Sequence, residues 1–361
     1  MNPNREERYV KTIKGPAVFL AQFLRDEPPY NELHAIAEWF AGLGYKGIQI
    51  PAWDPRTIDL DAAAESKTYC DEYRGRLAEL GLEPTELAGY LQGQVLAVHP
   101  AYELMFEAFH PVGLRGEART EWASEQLRKC VLASVNMDTC CIPVLSGGFA
   151  WHMVYPWPQR PQGIIDEAFR ELAKRWRPLL DLAQDKGRTF GFELHPGSDV
   201  FDGATYEMFL DHTDDHQAAC LNYDPSHFLM QQLDYLEFIK LYGERIRGFH
   251  VKDAELRPSG RVGVYGGYQP WPQRAGRFRS PGDGQVDFTQ IFTLLTEAGY
   301  DGWAVLEWEC YVKSSEQGAR EGAAFITRHL IETTDVAFDD FAGAQSDVER
   351  NRQILGFGTD A

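Results

Sequence analysis

Short apolar runs of strand length alternate with longer stretches of helical period along almost the whole chain. Strands are predicted at 17–23, 47–51, 84–90, 139–145, 190–194, 219–223, 246–251 and 303–308. Helices are predicted between and after them, at 31–43, 60–80, 116–135, 163–186, 204–214, 232–244, 287–299 and 317–334. The period is clear in 163–186, where Ile165, Phe169, Leu172, Trp176, Leu179 and Leu180 fall on one face with charges opposite. Gly44, Gly81 and Gly299 each close a helical stretch just before the next strand, the usual place for a residue with positive φ. Regular strand–helix alternation predicts a parallel sheet, and eight units predict its closure into a (β/α)₈ barrel. An open doubly wound sheet is the alternative, but no G-x-G-x-x-G follows the first strand.

Three connections are long: about 90–115, 146–162 and 253–286. In a barrel they follow strands three, four and seven, so all three fall on the C-terminal face, where loops build substrate pockets. The chain reads as a single domain over 1–361, with the barrel at about 16–335 and a polar C-terminal extension at 336–361.

Composition narrows the partners. The formal net charge is −19, which repels nucleic acid and anionic membranes, so neither is expected as a partner. No apolar run approaches the ~20 residues of a membrane span, and the first residues lack the apolar core of a signal peptide. Cys70, Cys130, Cys140, Cys141, Cys220 and Cys310 form no C-x-x-C pair and read as reduced thiols of a cytoplasmic protein. Nine Trp and 16 Tyr are enough to furnish a ring-binding cleft as well as a core.

The chemistry lies where polar residues end the strands. The fifth strand ends in Glu193 and is followed by His195; the sixth is followed by Asp224 and His227. The seventh carries His250, then Lys252 and Asp253, and the eighth ends in Glu307 and Glu309. One carboxylate at a strand end is often only a helix N-cap. Four acidic or imidazole groups in register on consecutive strands make a ring of hard and borderline ligands. Glu193, Asp224, His250 and Glu307 are therefore expected to hold one divalent metal ion, Mn²⁺ ahead of Mg²⁺ or Co²⁺. Glu307 and Glu309 share parity; Glu309 is expected to point outward or into the barrel wall.

The segments FELHPG, NYDPSHF, FHVKDAE and VLEWE, in that order, resemble the metal-site strands of the xylose isomerase-like TIM-barrel superfamily. That group includes keto-sugar 3-epimerases, hydroxypyruvate isomerase, inosose dehydratase and, more distantly, endonuclease IV. The resemblance spans about residues 16–335 and implies Glu193, Asp224, His250 and Glu307 as ligands, with Glu307 favoured over Glu309. It also implies Glu193 and Glu307 as proton-transfer groups, His227 and Arg257 as substrate contacts, and a homo-oligomer. Lys252 and Asp253 resemble the H-x-K-D of the dehydratase-like branch. His195 is a catalytic candidate, and His99, Lys252 and Trp271 join the substrate-binding candidates; a loop-packing role is the plain alternative for His99, as for His152.

Segment 253–286 carries Arg257, Arg261, Arg274, Arg277 and Arg279 among Tyr265, Tyr268, Trp271 and Phe278. It reads either as a lid over the substrate or as a loop tied down by arginine pairs. Its PGDG turn could cradle a phosphate. The leading function is a metal-dependent isomerase or epimerase of a keto-sugar or related polyol. The alternative is a lyase or dehydratase acting on an inosose or 3-keto-glycoside. An endonuclease IV-like repair enzyme fits less well, since ten histidines in an acidic chain are few for a three-zinc site.

Overall fold

The computed structural model describes residues 12–333 and 347–357. Residues 12–331 form one compact unit. Its strands are β1 (Lys14–Phe19), β2 (Gly47–Pro51), β3 (Glu83–Ala88), β4 (Cys141–Val144), β5 (Thr189–Glu193), β6 (Ala219–Tyr223), β7 (Ile246–Val251), a hairpin of β8 (Asp253–Leu256) and β9 (Gly276–Arg279), and β10 (Trp303–Leu306). Eight of them pair in parallel in the order β3-β2-β1-β10-β7-β6-β5-β4. The two ends of that order meet, because Gly89 N, just past β3, donates to Pro143 O on β4 at 2.8 Å. The result is the expected (β/α)₈ barrel.

The helical face read from 163–186 packs on the barrel wall. Trp176 lies with its ring 5.3 Å from Phe190 and 4.7 Å from Phe192, both on β5. Each such side chain contributes about 1.5–3 kcal/mol of burial, so this helix fixes the strand that carries Glu193.

One predicted helix is a pair, and another has an unpredicted helix before it. Ser66 interrupts 60–80 and caps the second piece, Lys67–Glu79, by accepting from Tyr69 N. The stretch around 232–244 is preceded by a separate helix, Pro225–Gln231, which ends where Gln232 turns left-handed at φ 63°. The long connection 253–286 is not irregular throughout, since it opens as the antiparallel pair β8/β9, with Glu255 opposite Arg277. Nor does PGDG offer its amides to a phosphate. Gly282 N, Gly284 N and Val286 N donate to the Asp253 carboxylate at 2.9, 2.9 and 3.2 Å. A Cβ on Gly284 would lie 2.1 Å from Asp253 Oδ1, so the turn closes on that carboxylate only with glycine there.

Within the expected extension, residues 347–357 are described and hold a helix at Val348–Ile354; the remainder falls outside the described residues. All six cysteines are free thiols. Among the described residues, no helix is long and apolar enough to cross a membrane.

Candidate metal centre

Strand parity and strand ends bring the predicted ligands together. Glu193 is the last residue of β5 and pairs in register with Asn222 of β6, which in turn pairs with Gly248 of β7. Gly248, His250 and Lys252 alternate onto one face, which points into the barrel mouth. Asp224 is both an N-cap and a member of the cluster. Its Oδ1 accepts from Ser226 N at 2.8 Å, starting the helix Pro225–Gln231 with proline at its first turn. Its Oδ2 is left buried without a hydrogen-bond partner.

One ligand atom from each of Glu193, Asp224, His250 and Glu307 can be chosen so that all lie within 4.8 Å of one another, and all four side chains are buried. His250 Nδ1 lies 2.7 Å from Glu307 Oε2 and 3.3 Å from Glu193 Oε2. The other ring nitrogen donates to Gln49 Oε1 at 3.0 Å, and Gln49 Nε2 donates onward to Glu86 Oε2 at 3.2 Å. That outer bond sets the ring so that Nδ1 is the atom presented to the cluster. Glu193 is oriented in the same manner: Tyr90 Oη and Asn222 Nδ2 both donate to its Oε2, at 2.8 and 3.0 Å.

The electrostatics of this cluster favour a cation. Burial works against every charge here, and it raises the Asp224 carboxyl to about 8, with Glu193 and Glu307 adding repulsion that Lys252 only partly offsets. Burial likewise opposes protonation of His250, but the carboxylates of Glu307 and Glu193 outweigh it and raise the ring to about 10. Lys252, though buried, is held well above its ordinary range by Glu307, Glu309 and Asp224. The carboxylates of Glu193, Asp224, Glu307 and Glu309 surround a single fixed ammonium, that of Lys252. With His250 neutral, a divalent ion would offset most of that negative charge, and the oxygen and imidazole donors suit Mn²⁺, Mg²⁺ or Co²⁺. The orphaned Asp224 Oδ2 is the atom such an ion would satisfy.

The cluster opens on a cavity of about 410 Å³, whose wall includes Glu193, His195, Lys252, Glu307 and Glu309 with Trp53 and Tyr90. A larger cavity, about 510 Å³, shares Trp53, Leu91 and Phe109 with it but carries none of the four ligand residues. Two of the predicted ligands, Glu193 and Glu307, border the smaller one.

The other sequence candidates divide. His195 lines the cavity, with Nδ1 bonded to Pro196 O and its ring 4.1 Å from that of His227. His227 does not reach the cavity wall. It is buried behind it, with Nε2 3.3 Å from Glu193 Oε1 and 3.2 Å from Asp224 Oδ2, and burial lowers its pKa to about 3, helped by His195 and Lys252. Trp271 lines an adjoining cavity. Arg257 and His99 line neither. Arg257 points to solvent and pairs with Glu255, while His99 packs on His152 at 4.1 Å between ring centroids. Of the five arginines, Arg257, Arg277 and Arg279 all neutralise the buried Glu255, so this part of the loop is tied down by ion pairs.

Glu309 departs from its expected outward position: it lies on the cavity wall, 3.0 Å from Lys252 Nζ. The residue parity of β10 continues past Leu306, so Glu307 and Glu309 face the same way. Gln49, Tyr90, Asn222 and Gln22 were not singled out in the sequence. Their signal is a lone polar residue in or beside an otherwise buried strand.

Comparison with known proteins agrees with the fold. Residues 37–329 match the family model described as xylose isomerase-like TIM barrel. An inosose dehydratase of Geobacillus thermodenitrificans is 32% identical over 131 residues, which is 36% of this chain and 44% of that enzyme. The match therefore spans less than half of the curated relative. Among solved structures, the apo 3-keto-D-glucoside 4-epimerase of E. coli superposes with a TM-score of 0.58 at 15% identity, covering 86% of this chain and 98% of that one. A xylose isomerase-like TIM barrel protein from Mycobacterium smegmatis in complex with magnesium gives a TM-score of 0.58 at 16% identity, covering 88% and 96%. With the family model spanning most of the barrel, the chain belongs to the xylose isomerase-like TIM-barrel family.

Proposed function

We propose that this protein is a divalent-metal-dependent lyase that removes water from a keto-sugar or inosose by abstracting the proton beside its carbonyl. The observation that carries this reading is Lys252, whose ammonium stands on the wall of the same cavity as His195, 3.4 Å from Glu307 and 3.6 Å from Asp224. For proton transfer, two-base epimerisation needs only the carboxylates of Glu193 and Glu307. Elimination needs, besides the base and the cation that steadies the enolate in either reaction, an acid for the departing hydroxyl. The site holds both kinds of group, and the inosose dehydratase relatives point the same way.

Glu193, Asp224, His250 and Glu307 would hold a divalent ion, which would supply Lewis acidity to a substrate carbonyl and so acidify the neighbouring C–H. Glu307 or Glu193 takes that proton. The freed electron pair passes to the carbonyl oxygen as an enolate, and in a later step it returns to form the carbon–carbon double bond as the β carbon–oxygen bond breaks. His195, fixed through Nδ1 to Pro196 O, delivers a proton from Nε2 so that hydroxide leaves as water. Lys252 keeps its charge throughout and balances the enolate oxygen.

Epimerisation is the second reading, favoured by the convergence of Glu193 and Glu307 on His250 Nδ1. The deciding experiment incubates the enzyme with Mn²⁺, Mg²⁺ or Co²⁺ and a panel of keto-sugars, inososes and 3-keto-glycosides in D₂O. Loss of water from substrate supports the lyase. Deuterium uptake with no loss of water supports the epimerase, and neither event with any substrate overturns both.

A further inference from the structure

A second cavity of about 320 Å³ adjoins the metal pocket. The two share Gln22 and Glu309 as common wall. Gln22 Nε2 donates to the ligand Glu307 at 2.9 Å, while its Oε1 is buried with no partner. The rest of the annex is mainly aromatic: Trp271, Phe278, Trp308 and Tyr311. Phe278 is the partition. One side of its surroundings is the metal site, with Lys252 Nζ 4.5 Å from the ring centroid and the His227 ring at 5.6 Å. Trp271 lies against it at 5.1 Å, and is itself braced by Arg274, 4.5 Å from the indole centroid.

We infer that the annex is a subsite for a second six-membered ring, joined through a glycosidic oxygen to the sugar whose carbonyl lies at the metal centre. The inference rests on the enolising reading of that centre. Its volume is in the range that encloses a small ring compound. Trp271 lines the annex and is 41% exposed, so part of its indole is left uncovered there. Flat aromatic walls recognise the C–H face of a pyranose or the face of an aryl ring, with few hydrogen bonds to dictate hydroxyl pattern. The shared wall supplies the polar atoms at the junction, where a bridging oxygen would pass. The natural substrate class is therefore a keto-glycoside, not a free keto-sugar.

The test separates the annex from the chemistry. Glucose, cellobiose and 4-nitrophenyl β-glucoside, the first two as their methyl β-glycosides so that none has a free carbonyl to enolise, are titrated calorimetrically into the metal-loaded enzyme. Both two-ring probes should bind at least ten-fold more tightly than glucose, and Trp271→Ala should remove about ten-fold of that advantage. The stronger of the two identifies an aryl or a glycosyl second ring. Equal binding of all three, or no effect of Trp271→Ala, overturns the subsite. In parallel, solvent deuterium exchange is followed with a 3-keto-sugar and its glycoside. Exchange that proceeds equally with both leaves the enolising reading standing and refutes the annex. Two-ring binding with no exchange in any substrate does the reverse.

Discussion

Lys252 Nζ lies 3.0 Å from Glu309 Oε1, which leaves the ammonium on the cavity wall beside Asp224 and Glu307, two of the proposed ligands. A cation held there by three carboxylates is placed to balance the charge that develops on a substrate enolate. Lys252→Gln should lower kcat by about 10²–10³-fold, the usual loss when one preorganised charge is removed from a site of this kind. Metal content, measured by elemental analysis of the dialysed protein, should stay near that of the wild type. A variant that loses its metal along with its activity would make Lys252 part of the ligand scaffold instead.

Gly248 and Asn222 lie side by side on β7 and β6, and a Cβ at position 248 would come within 2.2 Å of Asn222 Oδ1. The amide of Asn222 cannot retreat without giving up its bond to Glu193. Gly248→Ala should therefore weaken metal binding by about 10–100-fold, the typical cost of a lost outer hydrogen bond to a ligand. Asn222→Ala should reproduce most of the loss. Metal titration of both variants checks the link, and a drop in Tm with unchanged affinity would break it.

The clustering of the four candidate ligands can be read from the sequence because each lies at or near the end of an apolar run that fixes its depth. Glu193, Asp224, His250 and Glu307 are all of this kind. Their supports are not, because these supporting bonds join segments far apart in the chain: Tyr90 reaches Glu193 and Gln49 reaches His250. The hairpin β8/β9 escaped notice for another reason. Its strands, DAEL and GRFR, are matched by charge between Glu255 and Arg277 or Arg279, with little hydrophobic alternation to reveal a period of two.

That pairing yields a stability prediction. Glu255 is buried and faces three guanidinium groups, of which Arg257 is mostly exposed while Arg277 and Arg279 are largely covered. Glu255→Gln removes the counter-charge and should cost about 2 kcal/mol, less than a fully buried pair because the arginines keep contact with water. Denaturant unfolding gives the global figure. Hydrogen exchange should show the loss concentrated in 253–279.

Stability should also depend on pH through His227. Its folded pKa is lowered to about 3 by burial, and by His195 and Lys252, whereas an unfolded histidine titrates near ~6.5. The unfolded chain thus binds the extra proton first, and stability rises with pH across that interval. The contribution is complete above about 6.5 and is lost as pH falls toward 3, by up to a few kcal/mol. Metal-free wild type and His227→Gln, melted from pH 7 to 4, should differ in slope, with the variant flatter. Parallel curves would place the acid sensitivity elsewhere in the cluster.

His195 separates the two chemistries that this site can support. Its ring lines the cavity, 4.1 Å from His227, and its Nδ1 is occupied by Pro196 O, so only Nε2 is available to exchange a proton with substrate. If Glu193 and Glu307 perform both proton transfers of an epimerase, His195 merely positions a hydroxyl. His195→Ala should then cost about 10–100-fold, the value of one positioning hydrogen bond. If His195 protonates the departing hydroxyl of a lyase, its loss should cost about 10²–10⁴-fold and remove one limb of the pH–rate profile. Exchange of the substrate α-proton with D₂O is the finer discriminator. In the lyase that exchange survives in His195→Ala, because the carboxylate base is intact and only the later carbon–oxygen cleavage is blocked. Exchange abolished together with turnover would instead make His195 the base, and a wild-type rate with a wild-type pH profile would remove it from the reaction.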